Sequence, residues 1–181
     1  MYKDKDELLQ EILAGEDTLL EFKEVVFKGN QIRFASEEGK APKVIAGVFV
    51  SMANTEGGVV LFGVNKYNEV VGVDESKKDI LEQFVVNCAL NNCEPKGSIE
   101  PILDWRYLPN PDGEDRLILQ VTIPKAQFYV HHTADGRFLK RVGSHPTPIP
   151  AEQLGRLLAA KNLLIPFEER PCPGTELTRN K

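Results

Sequence analysis

Residues Ala41–Val73, APKVIAGVFVSMANTEGGVVLFGVNKYNEVVGV, decide how the rest of the chain is read. Lys43–Asn54 is an almost uncharged apolar run in which Val44, Val48 and Ser51–Met52 recur at helical spacing. It predicts a helix buried on most faces. Pro42 suits the first helical turn, where its missing N–H costs nothing. Thr55-Glu56-Gly57-Gly58 breaks the helix, and the short β-branched run Val59–Val64 predicts a buried strand. Gly63 inside that run points to a close backbone approach. Lys66-Tyr67-Asn68 reads as a polar turn and Glu69–Val73 as a returning strand. Helix, glycine turn and hairpin together form a unit suited to the centre of a sheet.

Outward from that unit, the 181-residue chain has the length and composition of one soluble domain: 41% hydrophobic, 27% charged. No apolar run reaches the roughly 18–20 residues of a membrane span. The N-terminus MYKDKDELLQ lacks an apolar secretory segment, so a cytoplasmic location is expected. The cysteines Cys88, Cys93 and Cys172 are odd in number, match no zinc spacing and read as free thiols. A net charge of −5 argues against a wholly basic nucleic-acid binder but leaves room for a local basic face.

Lys3–Ala14 carries Leu8, Leu9, Ile12 and Leu13 on one stripe and stops at Gly15, which predicts an amphipathic helix. In Glu16–Lys23, Thr18, Leu20 and Phe22 alternate with Leu19, Glu21 and Lys23, a strand with one partly polar face. Phe27–Lys40 shows no clean period and reads as a long loop. Glu75–Cys93 predicts a second long helix with Ile80, Leu81, Phe84, Val85, Cys88 and Ala89 inward. Ser98–Leu108 and Arg116–Ile123 predict an antiparallel pair joined by PNPDGED. Phe128–Val130 and Arg137–Val142 are expected to pair across Thr133–Gly136. Ala151–Leu164 reads as a helix with Leu154, Leu157, Leu158 and Ala159 inward. The expected division is a domain over 1–164 and a proline-rich linker over 165–181.

Three places can carry chemistry. Glu16 and Glu21 lie five residues apart around a strand. With a third oxygen ligand they would suit Mg²⁺ or Mn²⁺; otherwise they are ordinary strand carboxylates, Glu21 pairing with Lys23 or another cation. The Asn54, Gly57, Gly58 turn can hold an anion on backbone N–H groups, or serve only to pack helix against strand. It ends a helix rather than opening one, and no GxxxxGK[ST] occurs. Finally, Lys125–His145 sets Lys125, Arg137, Lys140 and Arg141 against Asp135 alone, a balance of +3, with Tyr129 and Phe138 interleaved. That pattern suits phosphates and unpaired bases, and equally a solvated hairpin. His131-His132 is no metal pair, because adjacent strand residues point to opposite faces.

EDTLLEFK, the helix ending SMANTEGG, the strand VVLFGV, the return VVGV and the late KRVGS occur in that order over Glu16–Ser144. Together they resemble the Schlafen-type AlbA-like domain. The resemblance implies a mixed α/β fold, a largely antiparallel sheet flanked by three or four helices, that binds nucleic acid (DNA or RNA). Such domains commonly lead proteins described as transcriptional regulators or as ATP-binding, ahead of ATPase-like or winged-helix segments. The tail LIPFEERPCPGTEL looks like a join to one. Lys140, Arg141, Arg137, Lys23, Arg33, Lys40 and Lys43 are the expected phosphate contacts. Apolar edge strands would allow a homo-oligomer. Some animal Schlafens are metal-dependent RNA endonucleases with three carboxylates; Glu16 and Glu21 match two, but the third position holds Asn65-Lys66.

Overall fold

The computed structural model of the chain describes residues 4–35 and 40–161. In order, the elements are α1 (Lys5–Ala14), β1 (Leu20–Lys23), β2 (Val25–Lys28), β3 (Gln31–Phe34), α2 (Ala41–Ala53) and β4 (Gly58–Phe62). A 3₁₀ turn (Glu75–Lys77) leads into α3 (Lys78–Asn92), β5 (Cys93–Glu94), β6 (Ile102–Pro109) and β7 (Asp115–Ile123). The chain continues through β8 (His132–Thr133), β9 (Leu139–Val142), β10 (His145–Pro148) and α4 (Ala151–Ala160). Among the described residues, no helix is long and apolar enough to cross a membrane. The expected helix end at 162–164, the linker 165–181 and Cys172 lie outside the described residues.

The central sheet has the order β1-β4-β7-β6. β1 runs parallel to β4, whereas β4–β7 and β6–β7 are antiparallel. The fold is thus α+β with a largely antiparallel sheet. β4 is fully buried, and its period of two serves two cores. Val60 and Phe62 pack with Ile45, Phe49 and Met52 of α2 and Leu81 and Val85 of α3. Val59 and Leu61 pack on the opposite face with Leu8 and Ile12 of α1. Helices on both faces of one sheet explain why this strand is apolar at every position.

The glycine turn is required by contact. A Cβ on Gly57 (φ +78°) would meet the Ile123 carbonyl oxygen at 2.7 Å, and one on Gly58 would meet Leu19 O and Met52 Sδ at 2.8 Å. Asn54 caps α2, and its side-chain amide donates to the carbonyls of His131 (2.8 Å) and Leu139 (2.9 Å) while accepting from His131 N–H. Asn54 therefore fixes the approach to β9.

Several sequence expectations are corrected. Residues 25–34 form a hairpin rather than a loop: Lys28 pairs Gln31 across Gly29-Asn30, with Gly29 at φ +62°. Glu69–Val73 is not a strand; one bridge joins Val64 to Val70, because the N–H groups of Val71 and Gly72 both turn back to Gly63 O. Phe128–Val130 forms no strand with Arg137–Val142, although the Thr133 N–H turns back to Arg137 O. β8 pairs with β5, and β9 pairs with β10. In α4, Leu154, Leu157 and Leu158 are half-buried and Ala159 is exposed. Burial pushes the Cys88 and Cys93 thiols up to about 12, so both are inert fillers.

Candidate functional site

Strand parity builds the site. Leu20 and Phe22 of β1 face the α1 core, so Glu21 and Lys23 face the other way, toward α2 and β9. There they wall a cleft of about 440 Å³, with Glu16 and Glu24 beside them. The first two turns of α2 contribute Lys43, Val44, Gly47 and Val48; Lys66 and Asn68 come from the turn after β4. Arg137, Leu139, Ser144, His145 and Pro146 close the far side. Leu139 Cδ1 lies 3.4 Å from where a Gly47 Cβ would stand, so this glycine lets β9 approach the helix.

Glu21 is buried between two cations. Lys23 Nζ lies 2.6 Å from Oε1, and Arg141 Nη1 donates to Oε2 at 2.7 Å. The Arg141 side chain is completely buried. Its Nη2 donates to the carbonyls of Asp17 (2.7 Å) and Leu20 (3.3 Å), and its backbone N–H to the Thr55 hydroxyl. Its Nε has no hydrogen-bond partner among the described residues. The guanidinium thus fastens β9 to the start of β1. Glu16, exposed as a residue, turns its carboxylate to the wall, where Oε1 accepts the Phe22 N–H at 2.7 Å. Burial of that carboxyl, and then the Glu21 charge, hold its pKa above the usual carboxylate range.

The cleft brings together Glu16, Glu21, Lys23, Lys43, Lys66 and Arg137. The other expected contacts lie elsewhere. Arg141 is locked in an internal ion pair and presents no charge to a ligand, contrary to its expected contact with phosphate. Lys140, the next residue back on β9, points to the opposite face and donates to Gln153 Oε1 of α4. Arg33 is exposed on β3, which pairs only with β2. Lys40 is the exposed residue preceding α2. Lys125 pairs with Glu56 at 2.8 Å. So the basic cluster read from Lys125–His145 is distributed over both faces of β9 rather than gathered on one. Ser144 and His145 were not expected at the site; the signal for them was the Gly-Ser pair between two short strand-like runs.

The resemblance implies a divalent metal held by three carboxylates, and the donor set does not fit one. Both oxygens of Glu21 are taken by cations. Asn65 Oδ1 accepts the N–H groups of Tyr67 and Glu69, and its Nδ2 donates to Glu69 Oε2 at 2.8 Å. That side chain is committed to its own turn. Lys66 adds a positive charge where a metal would need a negative one. Among the described residues, no three His, Cys, Asp or Glu side chains are grouped to hold an ion. The glycine turn is likewise no anion cradle: the N–H groups of Asn54, Thr55 and Gly57 return to Val50 O and Met52 O.

Comparison with known proteins agrees with this fold. The family described as Schlafen, AlbA_2 matches residues 16–150. No curated protein matches the chain. Among solved structures, the DIP2311 protein from Corynebacterium diphtheriae is similar at a TM-score of 0.51 and 17% identity. The match covers 87% of this chain but 28% of that one, so the likeness is one of fold over a fraction of a longer protein. The chain belongs to the Schlafen AlbA_2 family.

Proposed function

We propose that the chain is a nucleic-acid-binding module, DNA-directed, of a transcriptional regulator. One observation carries the reading. The cleft that in metal-dependent relatives would gather acids here has Lys43, Lys66 and Arg137 on its walls, with Glu21 neutralised from within. A site so arranged attracts phosphates and has lost the charge that would hold a metal. Phosphate contacts supply affinity and register, and reading of sequence requires other groups. Lys43 and Arg137 share Asp135, at 3.5 Å and 3.0 Å, and all three side chains are solvent-accessible. Such exposed pairs exchange readily for a polyanion.

Fluorescence anisotropy with labelled DNA at several salt concentrations tests the reading. Affinity should fall linearly on a log–log plot as salt rises. Reversal of two contacts in Lys43→Glu/Arg137→Glu should cost about tenfold or more. A flat salt response, or no binding at low salt, overturns it. Cleavage dependent on Mg²⁺ or Mn²⁺ and abolished in Glu21→Gln would restore the nuclease reading instead.

A further inference from the structure

Two surface features that meet at Lys161 point to the kind of nucleic acid. The first is a groove of about 460 Å³ between α4, Lys140 on the outer side of β9, and the Asn54–Glu56 turn. Lys125, Lys140, Arg156 and Lys161 line it against Glu56 alone, a local balance of +3 on a chain of −5. Among the described residues, three of the four charges meet no carboxylate. Arg156 is exposed and makes no ion pair or hydrogen bond among the described residues. Lys140 donates to a neutral amide oxygen, Gln153 Oε1, at 2.6 Å. Lys161 Nζ donates to the carbonyls of Ala126 (2.7 Å) and Tyr129 (2.6 Å). Partial burial, and then the Lys125 charge, lower its pKa, as expected for cations crowded without an anion.

The second feature is the loop those carbonyls belong to. It presents Phe128 at 72% exposure and Tyr129 at 48%, side by side. A shallow depression of about 230 Å³ next to both rings shares Lys125 with the groove. The Lys161 ammonium therefore ties the aromatic loop to the cationic groove, bonding one carbonyl just before the two rings and the carbonyl of Tyr129 itself. Exposed rings next to a cationic groove offer base-stacking surfaces and phosphate contacts at once. A duplex hides the faces of its bases and could use only the cations.

We propose that this groove and loop bind single-stranded nucleic acid, with phosphodiesters on Lys140, Arg156 and Lys161 and bases stacked on Phe128 and Tyr129. The inference rests on the nucleic-acid reading above and deepens it by naming an unpaired strand as the ligand.

The full chain is titrated with an unstructured labelled oligodeoxynucleotide and with the same strand annealed to its complement. Wild type should prefer the single strand. Phe128→Ala/Tyr129→Ala should weaken single-strand binding by about tenfold or more and leave duplex binding unchanged. Lys140→Ala/Arg156→Ala should lower the single-strand salt slope by about 1.4. Phe128→Trp should retain affinity and show indole emission quenched by the single strand, read against the sole native tryptophan, Trp105. Single-strand affinity unmoved by the aromatic truncation, or Phe128→Trp emission unmoved by the strand, overturns the inference. If Lys43→Glu/Arg137→Glu abolishes binding while those variants have no effect, the nucleic-acid reading stands and this one falls. If wild type binds neither oligonucleotide at low salt, both fall.

Discussion

On one side of β9, Arg141 closes a charge network; on the other, Lys140 opens one. The cleft beside β1 has a wall in which Glu21, Lys23 and Arg141 are all buried and answer one another within 2.7 Å. The groove beside α4 carries comparable residue types, yet among the described residues only Lys125 of its four cations meets a carboxylate. Adjacent residues of one strand thus belong to different economies of charge. What separates them is the pleat, which sends neighbours to opposite faces. A buried guanidinium is held by the structure and holds it in turn, whereas the half-buried Lys140 ammonium meets a neutral amide.

The contrast can be broken most forcefully at Arg141. Arg141→Met strips a buried carboxylate of one of its two cations and should destabilise the fold by about 3 kcal/mol in urea denaturation. Glu21→Gln added to it should restore part of the loss. A cost below about 1 kcal/mol, the range of surface pairs, would mean the network does not join β9 to β1.

Acid acts on His131, on the segment between the two surfaces. Burial holds its pKa down at about 4, while an unfolded histidine takes a proton near 6.5. Between those values the unfolded chain binds more protons, so stability present at neutral pH is lost as pH falls. The loss should reach about 2 kcal/mol by pH 5, and His131→Leu should remove it. Urea midpoints at the two pH values check both; identical pH dependence in wild type and variant would place the titration elsewhere.

Arg156→Ala should change stability by no more than about 0.5 kcal/mol. A thermal melt that fell as far as that of Arg141→Met would show the groove to be structural as well.

The sequence showed much of this fold because two signals in it are strong. The apolar run through α2 and the Gly57-Gly58 break can be built only one way, and the resulting unit sits inside the sheet as expected. The hairpin at Val25–Phe34 was missed although its signal was present: Val25, Phe27, Ile32 and Phe34 alternate around Gly29-Asn30, a turn pair of the two-residue type. The returning strand at Glu69–Val73 was expected from its β-branched residues; Gly63 and Gly72, both at positive φ, bend the chain out of register there. At the site, pairing Glu16 with Glu21 followed from the family resemblance, whereas Lys43 was expected only as a separate phosphate contact and joins them through the fold. Splitting Lys140 from Arg141 needed no coordinates, only the alternation already applied to His131 and His132. Which face would be interior could not be read, because Asn54 fixes it from more than seventy residues away.

The two-residue turn Gly143-Ser144 links β9 to β10, with Gly143 at φ +58°. Its length sets the phase of the hairpin. Inserting a single residue upstream of Lys140 would turn the strand inside out, delivering an ammonium to the interior and a guanidinium to water. Homologues that lengthen the chain just ahead of Lys140 by an odd number of residues would then have to rewrite their charges in step, so indels and basic positions should change together along the lineage.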